Sequence, residues 1–394
     1  MRTRIIGIGA AGNKAAISAV EDGIDKIENI LLVNSTLKDI PSDFKGQTYC
    51  FQKAYGGCGK ERNKAKQLML KDLESDAMKL EQFLGIDTDN QAELVVLVSS
   101  TEGGTGSGSV PILASYINNV YHIPVHCFAF TGFEEDGRGL MNTVEYFQEM
   151  EEGFTVECLQ NNKFMKECNN NRIKAEQAAN AEFCKKISIL FGNPLRDSDH
   201  NIDPTDLLKV SAKTPGYMVI EFRQFSKVKN RESFRAMIQD MIDESKALDI
   251  NEPSQRRIAV MINIDKNSTD IIDYLDILID SFGMCFEKYE HIQYEEEMPE
   301  FVAFISAGHK IPVKEIEAVY DKYKQYTVKV NKNKDSFFAK KFDFDEQDAM
   351  FNMEEEEKKP VVDKSAFFKN AMNKKKPGEG RHEEVKDVNV EDGY

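Results

Sequence analysis

The sequence lacks any cysteine spacing that indicates cross-links or a structural metal. It has seven cysteines, an odd number, and none of them forms a C-x-x-C pair, so neither a disulfide framework nor a zinc site is indicated. We therefore expect reduced, mostly buried thiols at Cys50, Cys58, Cys127, Cys158, Cys168, Cys184 and Cys285.

Long apolar segments are also missing. No apolar run approaches the roughly 18 residues that a membrane span requires. The first residues run directly into a strand-like segment, without the charged and apolar regions of a signal peptide. These features predict a soluble, cytoplasmic protein with no direct membrane insertion.

Positive charge is in short supply: 51 Lys and Arg face 67 Asp and Glu, which gives a net charge of −16. Coating nucleic acid requires clustered basic residues, so we expect little direct nucleic-acid binding. The 394 residues, 41% of them hydrophobic, exceed one average domain and can supply a sizeable core. Two packed domains with additional sequence are the expectation.

Short apolar runs alternate with amphipathic stretches over the first third of the chain, a pattern typical of βα units on a parallel sheet. Strands are predicted at residues 4–8, 29–33, 93–99 and 124–130, and helices at 12–22, 62–83, 110–119 and 140–151. Right-handed crossovers then bring the loops after the strands to one rim, where open α/β sheets bind ligands. Residues 1–170 are predicted to form a Rossmann-like α/β domain of this kind.

A long helix is predicted over residues 171–191, because this run contains neither Gly nor Pro, and we assign residues 171–192 to a central helix. Residues 193–328 are predicted to form a second, smaller α/β domain. Its predicted strands are 217–222, 257–264 and 301–306, and its predicted helices are 231–248, 269–282 and 313–326.

Charge is segregated into blocks beyond residue 329: acidic at 343–357, basic at 364–376 and acidic again at 383–392. Such composition favours a largely flexible tail over residues 329–394. Residues 365–372 have the character of a short amphipathic helix that forms on a partner. The alternative is a tail that contacts nothing.

A first glycine loop, Gly7-Ile8-Gly9-Ala10-Ala11-Gly12, leaves a predicted strand and enters a predicted helix. Free amides at a helix start stabilise a phosphate. The G-x-G-x-x-G spacing also fits a nicotinamide-dependent dehydrogenase. Against that alternative, Asn34-Ser35-Thr36 occupies the place where the acidic ribose ligand is expected.

A second glycine loop, Gly103-Gly104-Thr105-Gly106-Ser107-Gly108, lies between a predicted buried strand and a predicted helix. Its amides can form a nest for a di- or triphosphate. No G-K-S or G-K-T pair ends the loop, so a P-loop is excluded.

This loop, preceded by Glu102, resembles the G-G-G-T-G-[ST]-G signature of the tubulin/FtsZ family of GTPases. The resemblance continues through Tyr55-Gly56-Gly57-Cys58-Gly59-Lys60 and Glu134-Glu135-Asp136-Gly137-Arg138. Residues 59–62 and 107–109 are similar to the plasmid- and phage-borne TubZ branch. The resemblance implies GTP or GDP with Mg²⁺ as ligands, and no protein ligand to the metal is assigned.

The same resemblance implies a set of nucleotide-binding residues drawn from the glycine loops, from the ribose-side loop at residues 134–138 and from the central helix. They are Gly9, Ala10, Ala11, Asn13, Asn34, Gly57, Gly59, Lys60, Gly103, Gly104, Thr105, Gly106, Ser107, Asp136, Arg138, Asn161 and Asn180.

Asn201, Asp203 and Asp206, within residues 199–207, are similar to the family's N-x-D-x-x-D loop. The resemblance implies that these residues enter the nucleotide pocket of the next subunit in a head-to-tail homopolymer and complete the GTPase site. Asp203, followed by Pro204, also has the character of a helix N-cap paired with Asp206. The two interpretations are compatible, because a cap fixes the carboxylates at a helix start.

The leading functional expectation is a GTP-dependent filament that segregates or positions plasmid or phage DNA through an adaptor protein bound to the tail. One alternative is an FtsZ-type cell-division GTPase. The alternative from another class is the dehydrogenase.

Overall fold

The computed structural model describes residues 1–309, apart from 52–56, 76, 151–153, 199–200, 213–215, 227–229, 246–255 and 266–270, together with 318, 321–322 and 324–325. The predicted tail at 329–394 and most of the predicted helix at 313–326 lie outside the described residues.

A ten-stranded sheet runs through the described part of the chain in the order β3-β2-β1-β4-β5-β6-β7-β10-β8-β9. Neighbours from β3 to β7 are parallel, β10 is antiparallel to both β7 and β8, and β9 is parallel to β8. The strands are β1 Thr3–Ile8, β2 Ile30–Asn34, β3 Gln47–Cys50, β4 Leu94–Ser100, β5 Val125–Phe130, β6 Thr155–Leu159, β7 Gly216–Gln224, β8 Arg257–Asn263, β9 Glu287–Gln293 and β10 Phe301–His309.

Helices cover both faces of the sheet. None of those in the described residues is long and apolar enough to cross a membrane. They are α1 Gly9–Glu21, α2 Arg62–Ser75, α3 Met78–Leu84, α4 Gly104–Tyr121, α5 Gly137–Met150, α6 Asn161–Glu167, α7 Arg172–Leu190, α8 Pro204–Ala212, α9 Arg231–Ser245 and α10 Ile271–Phe282.

Two hydrophobic layers, one on each face of the sheet, form the core. Successive residues of a strand point to opposite faces. Ile6 therefore belongs to the layer that contains Met69 of α2, whereas Ile5 belongs to the layer that contains Phe183 of α7. The predicted α/β class is confirmed, and all seven predicted strands are present with small shifts at their ends.

The glycine loops are more helical than predicted. Helix α1 begins at Gly9 rather than residue 12, α4 begins at Gly104 rather than residue 110, and α5 begins at Gly137 rather than residue 140. A Cβ at Gly12 would lie 2.1 Å from the Val98 carbonyl oxygen. Glycine here allows the first helical turn to lie directly against the sheet.

Other predictions were wrong in detail. The single helix predicted at 62–83 is two helices, α2 and α3. Strands β3, β6 and β9 were not predicted as strands from their sequence patterns. The reason is their polar content: β6 carries Glu157, which is buried because it is paired, and β9 reads Glu-Lys-Tyr-Glu-His-Ile-Gln.

The predicted central helix is confirmed as α7. Asn171 caps its start by accepting a hydrogen bond from the Lys174 backbone N–H at 3.1 Å. The helix ends before Gly192, which has a φ of +72°. The sheet is continuous past this helix, since β6 pairs with β7 through Thr155–Gly216 and Val156–Tyr217. The domain boundaries given above stay predictions.

A buried ionic cluster joins α7 to β6 and β7. The Lys186 ammonium lies 2.7 Å from a Glu157 carboxylate oxygen, 2.5 Å from the Ile220 carbonyl and 3.5 Å from Glu221. Burial by itself lowers the pKa of Lys186, but Glu157, Glu221 and Glu182 more than offset this and raise it. The cluster fixes the central helix against the strand junction.

Replacing Lys186 with Met is expected to destabilise the fold by about 3–5 kcal/mol, because Glu157 would be left buried without its partner. Urea unfolding measures the change. Lys185→Met is the matched control, since Lys185 lies 3.6 Å from Glu182 and is 41% exposed. It is expected to cost under about 1 kcal/mol. Equal losses in the two variants would contradict the prediction.

Candidate functional site

A cavity of about 560 Å³ opens at the carboxyl ends of the parallel strands. Residues at the ends of four strands, Ile8, Asn34, Ser100 and Phe130, line it together with Asn161, which follows β6 by two positions. Its size falls within the usual range of small-ligand sites. The rim predicted from the crossover rule is therefore the place where the cavity forms.

Helix α1 presents its first residues to this cavity. Gly9, Ala10 and Ala11 line the wall, and the N-cap Ile8 makes no side-chain hydrogen bond to the helix start. Gly9 has a φ of +74°, and a Cβ there would lie 3.4 Å from the Gly106 backbone nitrogen. The first-turn amides of α1 are thus open to a ligand, close to the second glycine segment.

Helix α4 approaches from the neighbouring strand in the same way. Gly103 is its N-cap and offers no side chain to its amides, while Gly104, Thr105 and Gly106 line the cavity. Two helix N-termini therefore converge on one space. Their aligned dipoles and free N–H groups favour a negatively charged ligand.

A third loop, the segment Gly57-Cys58-Gly59-Lys60, is held against α4 and α5. The Gly59 carbonyl accepts a hydrogen bond from the Gly104 N–H at 3.1 Å. The Lys60 carbonyl accepts from Arg138 Nε at 3.2 Å and from Asn142 Nδ2 at 3.1 Å, and the Lys60 ammonium pairs with Asp136. Residues 52–56, which precede this segment, lie outside the described residues.

The corner after β2 adds polar groups. Ser35 Oγ lies 3.0 Å from Thr105 Oγ1, which ties this corner to the second glycine loop. Asn34 Nδ2 donates to Asp39 at 3.4 Å, and Asp39 lines the cavity. No acidic residue stands at the end of β2, but Asp39, five residues after Asn34, supplies a carboxylate to the cavity lining.

Helix α7 forms the opposite wall with Arg172, Glu176 and Asn180, which are spaced four residues apart and so share one face. Asn161 lies across from them. Its Nδ2 donates to the Thr131 carbonyl at 2.8 Å, and its backbone N–H donates to Thr131 Oγ1 at 3.2 Å. Two amide side chains, Asn161 and Asn180, are therefore available at this end.

Twelve of the predicted binding residues line the cavity: Gly9, Ala10, Ala11, Asn34, Gly57, Gly59, Gly103, Gly104, Thr105, Gly106, Asn161 and Asn180. Five predicted residues lie outside the lining: Asn13, Lys60, Ser107, Asp136 and Arg138. Asn13 is 1% exposed, and no described residue pairs with either of its amide atoms. Ser107 donates its hydroxyl to the Gly103 carbonyl, and the other three contact one another beside the cavity.

Several lining side chains were missed as site residues. The charged ones are Lys14, Lys38, Asp39, Glu102, Arg172 and Glu176. Helical periodicity was a usable signal for two of them, because residues four and eight positions before Asn180 must share its face. No comparable signal in the sequence identifies Asp39 or Lys38.

The acid-bearing segment at the start of α8 is not part of the cavity lining. None of the described residues Asn201, Asp203 and Asp206 is part of the lining. Asp203 accepts a hydrogen bond from the Asp206 N–H at 2.8 Å, and Asp206 accepts from the Asp203 N–H at 3.4 Å. This reciprocal capping is the arrangement predicted from Asp203, Pro204 and Asp206.

Strand β9 braces this turn. His291 Nδ1 accepts a hydrogen bond from the Ile202 N–H at 3.4 Å, and Gln293 accepts from the Arg196 N–H at 2.8 Å. Burial lowers the pKa of His291, so its ring is neutral and can accept at physiological pH. Lys209, one turn into α8, lies 3.4 Å from Asp206. Asp203 is therefore exposed and Asp206 half-buried, and these contacts hold both acids in place.

Residues 2–169 match the GTPase domain of the Tubulin/FtsZ family. This segment carries both converging helix starts, the loop at 57–61 and Asn161. These residues form a Tubulin/FtsZ GTPase domain. The dehydrogenase alternative is disfavoured accordingly, and Asn34 at the end of β2 is consistent with that.

The GTPase domain has relatives among tubulin-like proteins. The chain is 28% identical over 142 residues to the tubulin-like protein CetZ2 of Haloferax volcanii, an alignment that covers 35% of this chain and 39% of the relative. It is 27% identical over 212 residues to TubZ of a Clostridium botulinum C phage, covering 49% and 52%. The chain thus spans well under two thirds of either relative.

Among solved structures, a GTPyS-form protofilament of Bacillus thuringiensis serovar israelensis TubZ is similar, with a TM-score of 0.67 and 16% identity. The match covers 85% of this chain and 94% of that one. It shows the fold, which extends beyond the GTPase domain into the smaller second domain.

Gly104→Ala is expected to destabilise the fold by about 1–3 kcal/mol, because a Cβ would lie 2.6 Å from the Gly59 carbonyl oxygen and force the two loops apart. Gly103→Ala is the control, since a Cβ there meets nothing within 4 Å. Its free energy of unfolding should stay within about 0.5 kcal/mol of the parent. Urea unfolding without ligand compares them, and equal losses would refute the close packing of these loops.

Proposed function

We propose that this protein binds and hydrolyses GTP and assembles head to tail into cytoplasmic filaments. The proposal rests on the separation, within one chain, between the cavity and the acids Asp203 and Asp206. The starts of α1 and α4 line the cavity, whereas Asp203 and Asp206 lie on a braced segment at the start of α8, outside the lining. A second copy is the simplest source of acids for the site.

The phosphate groups of GTP fit the end of the cavity built from α1 and α4. The amides of Gly9, Ala10 and Ala11 and those of Thr105 and Gly106 would hold them, while the Gly104 N–H, which donates to the Gly59 carbonyl, would keep the loop in place. A Cβ at Gly106 would lie 2.8 Å from the Ser100 carbonyl oxygen, so this position leaves room for a backbone donor and not for a side chain. Lys60, Asp136 and Arg138 would support this end by fixing the third loop.

The base and ribose would occupy the end between Asn161 and α7. Amide side chains both donate and accept hydrogen bonds, so Asn161 and Asn180 can read a guanine edge. Phe130 and Phe133 supply apolar lining at this end. Asn34 at the end of β2 and Ser107 in the second glycine loop complete the proposed set, together with Asn13, which is buried within α1.

Hydrolysis would begin when Asn201, Asp203 and Asp206 of one subunit enter the cavity of the next and orient the attacking water. Mg²⁺, when bound with the triphosphate, supplies positive charge to the phosphate oxygens. Positioning and electrostatics dominate such phosphoryl transfer. The resulting products are GDP and phosphate.

We further propose that the filament segregates or positions plasmid or phage DNA, in keeping with the similarity to a phage TubZ. An adaptor protein bound by the charged tail at 329–394 would connect filament and DNA, because the net charge of −16 disfavours direct contact.

Asp206→Asn is expected to retain GTP binding and polymer formation with a slowly hydrolysed analogue, while turnover falls by about 100-fold or more. The amide preserves the capping contact with Asp203 but removes the charge. Phosphate release and sedimentation measure the two effects. Asp243→Asn, an exposed acid on α9, serves as the control. Undiminished turnover in Asp206→Asn would reject the shared-site mechanism.

Mixing two impaired variants tests whether the acids act on a neighbour. Gly103→Phe fills the cavity, since the space beyond a Cβ there is open, and leaves the acids intact. Asp206→Asn leaves the cavity intact. A mixture is expected to hydrolyse GTP faster than either variant alone, because an intact cavity then meets intact acids. No gain in a mixture that co-sediments would count against the proposal.

Turnover per subunit is also expected to rise with protein concentration, because dilute monomers lack the second half of the site. Phosphate release is measured across a dilution series, and light scattering on the same samples reports polymer. Full turnover per molecule at concentrations without polymer would overturn the proposal.

A further inference from the structure

A carboxylate lies at the edge of the proposed phosphate site. Glu102 directly precedes Gly103, lines the cavity and is 16% exposed on its side chain. Its carbonyl accepts a hydrogen bond from Asn142 Nδ2 at 2.9 Å, which fixes its backbone. A negative charge in this position opposes the binding of an anionic ligand.

Arg172 reaches across the cavity to this carboxylate. Its Nη2 lies 3.2 Å from Glu102 Oε1, while the second oxygen of Glu102 accepts from the Phe133 N–H at 3.4 Å. The first residue of α7 is thereby joined to the second glycine loop. The contact is non-local in sequence and lies within the cavity lining.

Further contacts hold the Arg172 guanidinium in place. It lies 4.3 Å from the centre of the Phe133 ring, and its Nε lies 3.1 Å from Glu176. Cation–π stacking and charge-assisted hydrogen bonds together restrict a side chain that is 49% exposed. Arg172 is thus oriented toward Glu102 before any ligand arrives.

The charged side chains of the lining balance. Three are basic, Lys14, Lys38 and Arg172, and three are acidic, Asp39, Glu102 and Glu176. Loss of Arg172 would leave an acidic excess in a cavity whose other groups are arranged for an anion. The penalty would grow with the charge of the ligand.

We propose that Arg172 is a positioning residue that acts through Glu102: it neutralises this carboxylate and so allows the cavity to accept the phosphate groups. The inference rests on the proposed function for the identity of the ligand. It adds the reason why the cavity tolerates an acid beside its second glycine loop.

The test compares ligands that differ in the number of phosphates. In titration calorimetry, Arg172→Ala is expected to weaken GTP binding by about 10- to 100-fold and GDP binding by less, while guanosine changes by under about threefold. Lys174→Ala is the matched control, because it removes a positive charge two residues away on the same helix from an exposed side chain. It should leave all three affinities within about threefold.

A double-mutant cycle tests the route through Glu102. In the Arg172→Ala background, Glu102→Gln is expected to restore GTP affinity to within about threefold of the parent, because the unpaired charge is gone. Should the double variant bind as weakly as Arg172→Ala, Arg172 contacts the phosphates itself and the proposal is wrong. Equal weakening of GTP, GDP and guanosine would also overturn it.

If Arg172→Ala fails to fold, the GTP affinity of the single variant Glu102→Gln still tests the proposal. This variant is expected to bind GTP as tightly as the parent or more tightly. A large loss of affinity would mean that Glu102 is itself a ligand group, which contradicts the proposal. Absence of guanine-nucleotide binding by the parent protein would instead reject the proposed function, so the two failures are distinguishable.

Discussion

The convergence of two helix N-termini on the rim of a parallel sheet is the constraint on which the site depends. Helices α1 and α4 start directly after neighbouring strands, and their first turns approach each other at Gly9 and Gly106. Glycine is favoured at Gly9 by its φ of +74°, and it is required at Gly106 because a Cβ there would lie 2.8 Å from the Ser100 carbonyl oxygen. The resulting amides, rather than any single side chain, define an anion site.

The remaining elements hold the walls of the cavity in place around these two helix starts. The third loop is hydrogen-bonded to α4 and α5, and the corner after β2 is tied to Thr105. Helix α7 supplies the facing wall and is anchored at its other end by the buried Lys186. The acid-bearing turn is braced separately by β9. The cavity and the acid pair Asp203 and Asp206 are thus each held by their own contacts and lie apart within one chain.

Most of the parallel strands and the position of the cavity could be predicted from the sequence. Hydrophobic runs of the parallel strands were recognisable because both faces are buried, and the glycine segments marked the rim. Strand β6 was not recognised because its buried Glu157 pairs with the distant Lys186, and β9 was not recognised because its sequence is mostly polar. The division of the predicted helix 62–83 into α2 and α3 was not predicted either, since local propensity resolves helix boundaries poorly.

The sequence by itself determined the α/β class, the glycine-lined rim and the capped pair Asp203 and Asp206, because periodicity and capping are local properties. Tertiary structure decided which side chains share the cavity. It brought Asp39, Glu102 and Arg172 into the lining and left Asn13, Ser107 and Arg138 outside. Such placement depends on contacts between residues far apart in the chain, as in the 3.2 Å contact between Glu102 and Arg172, and no local pattern encodes those contacts.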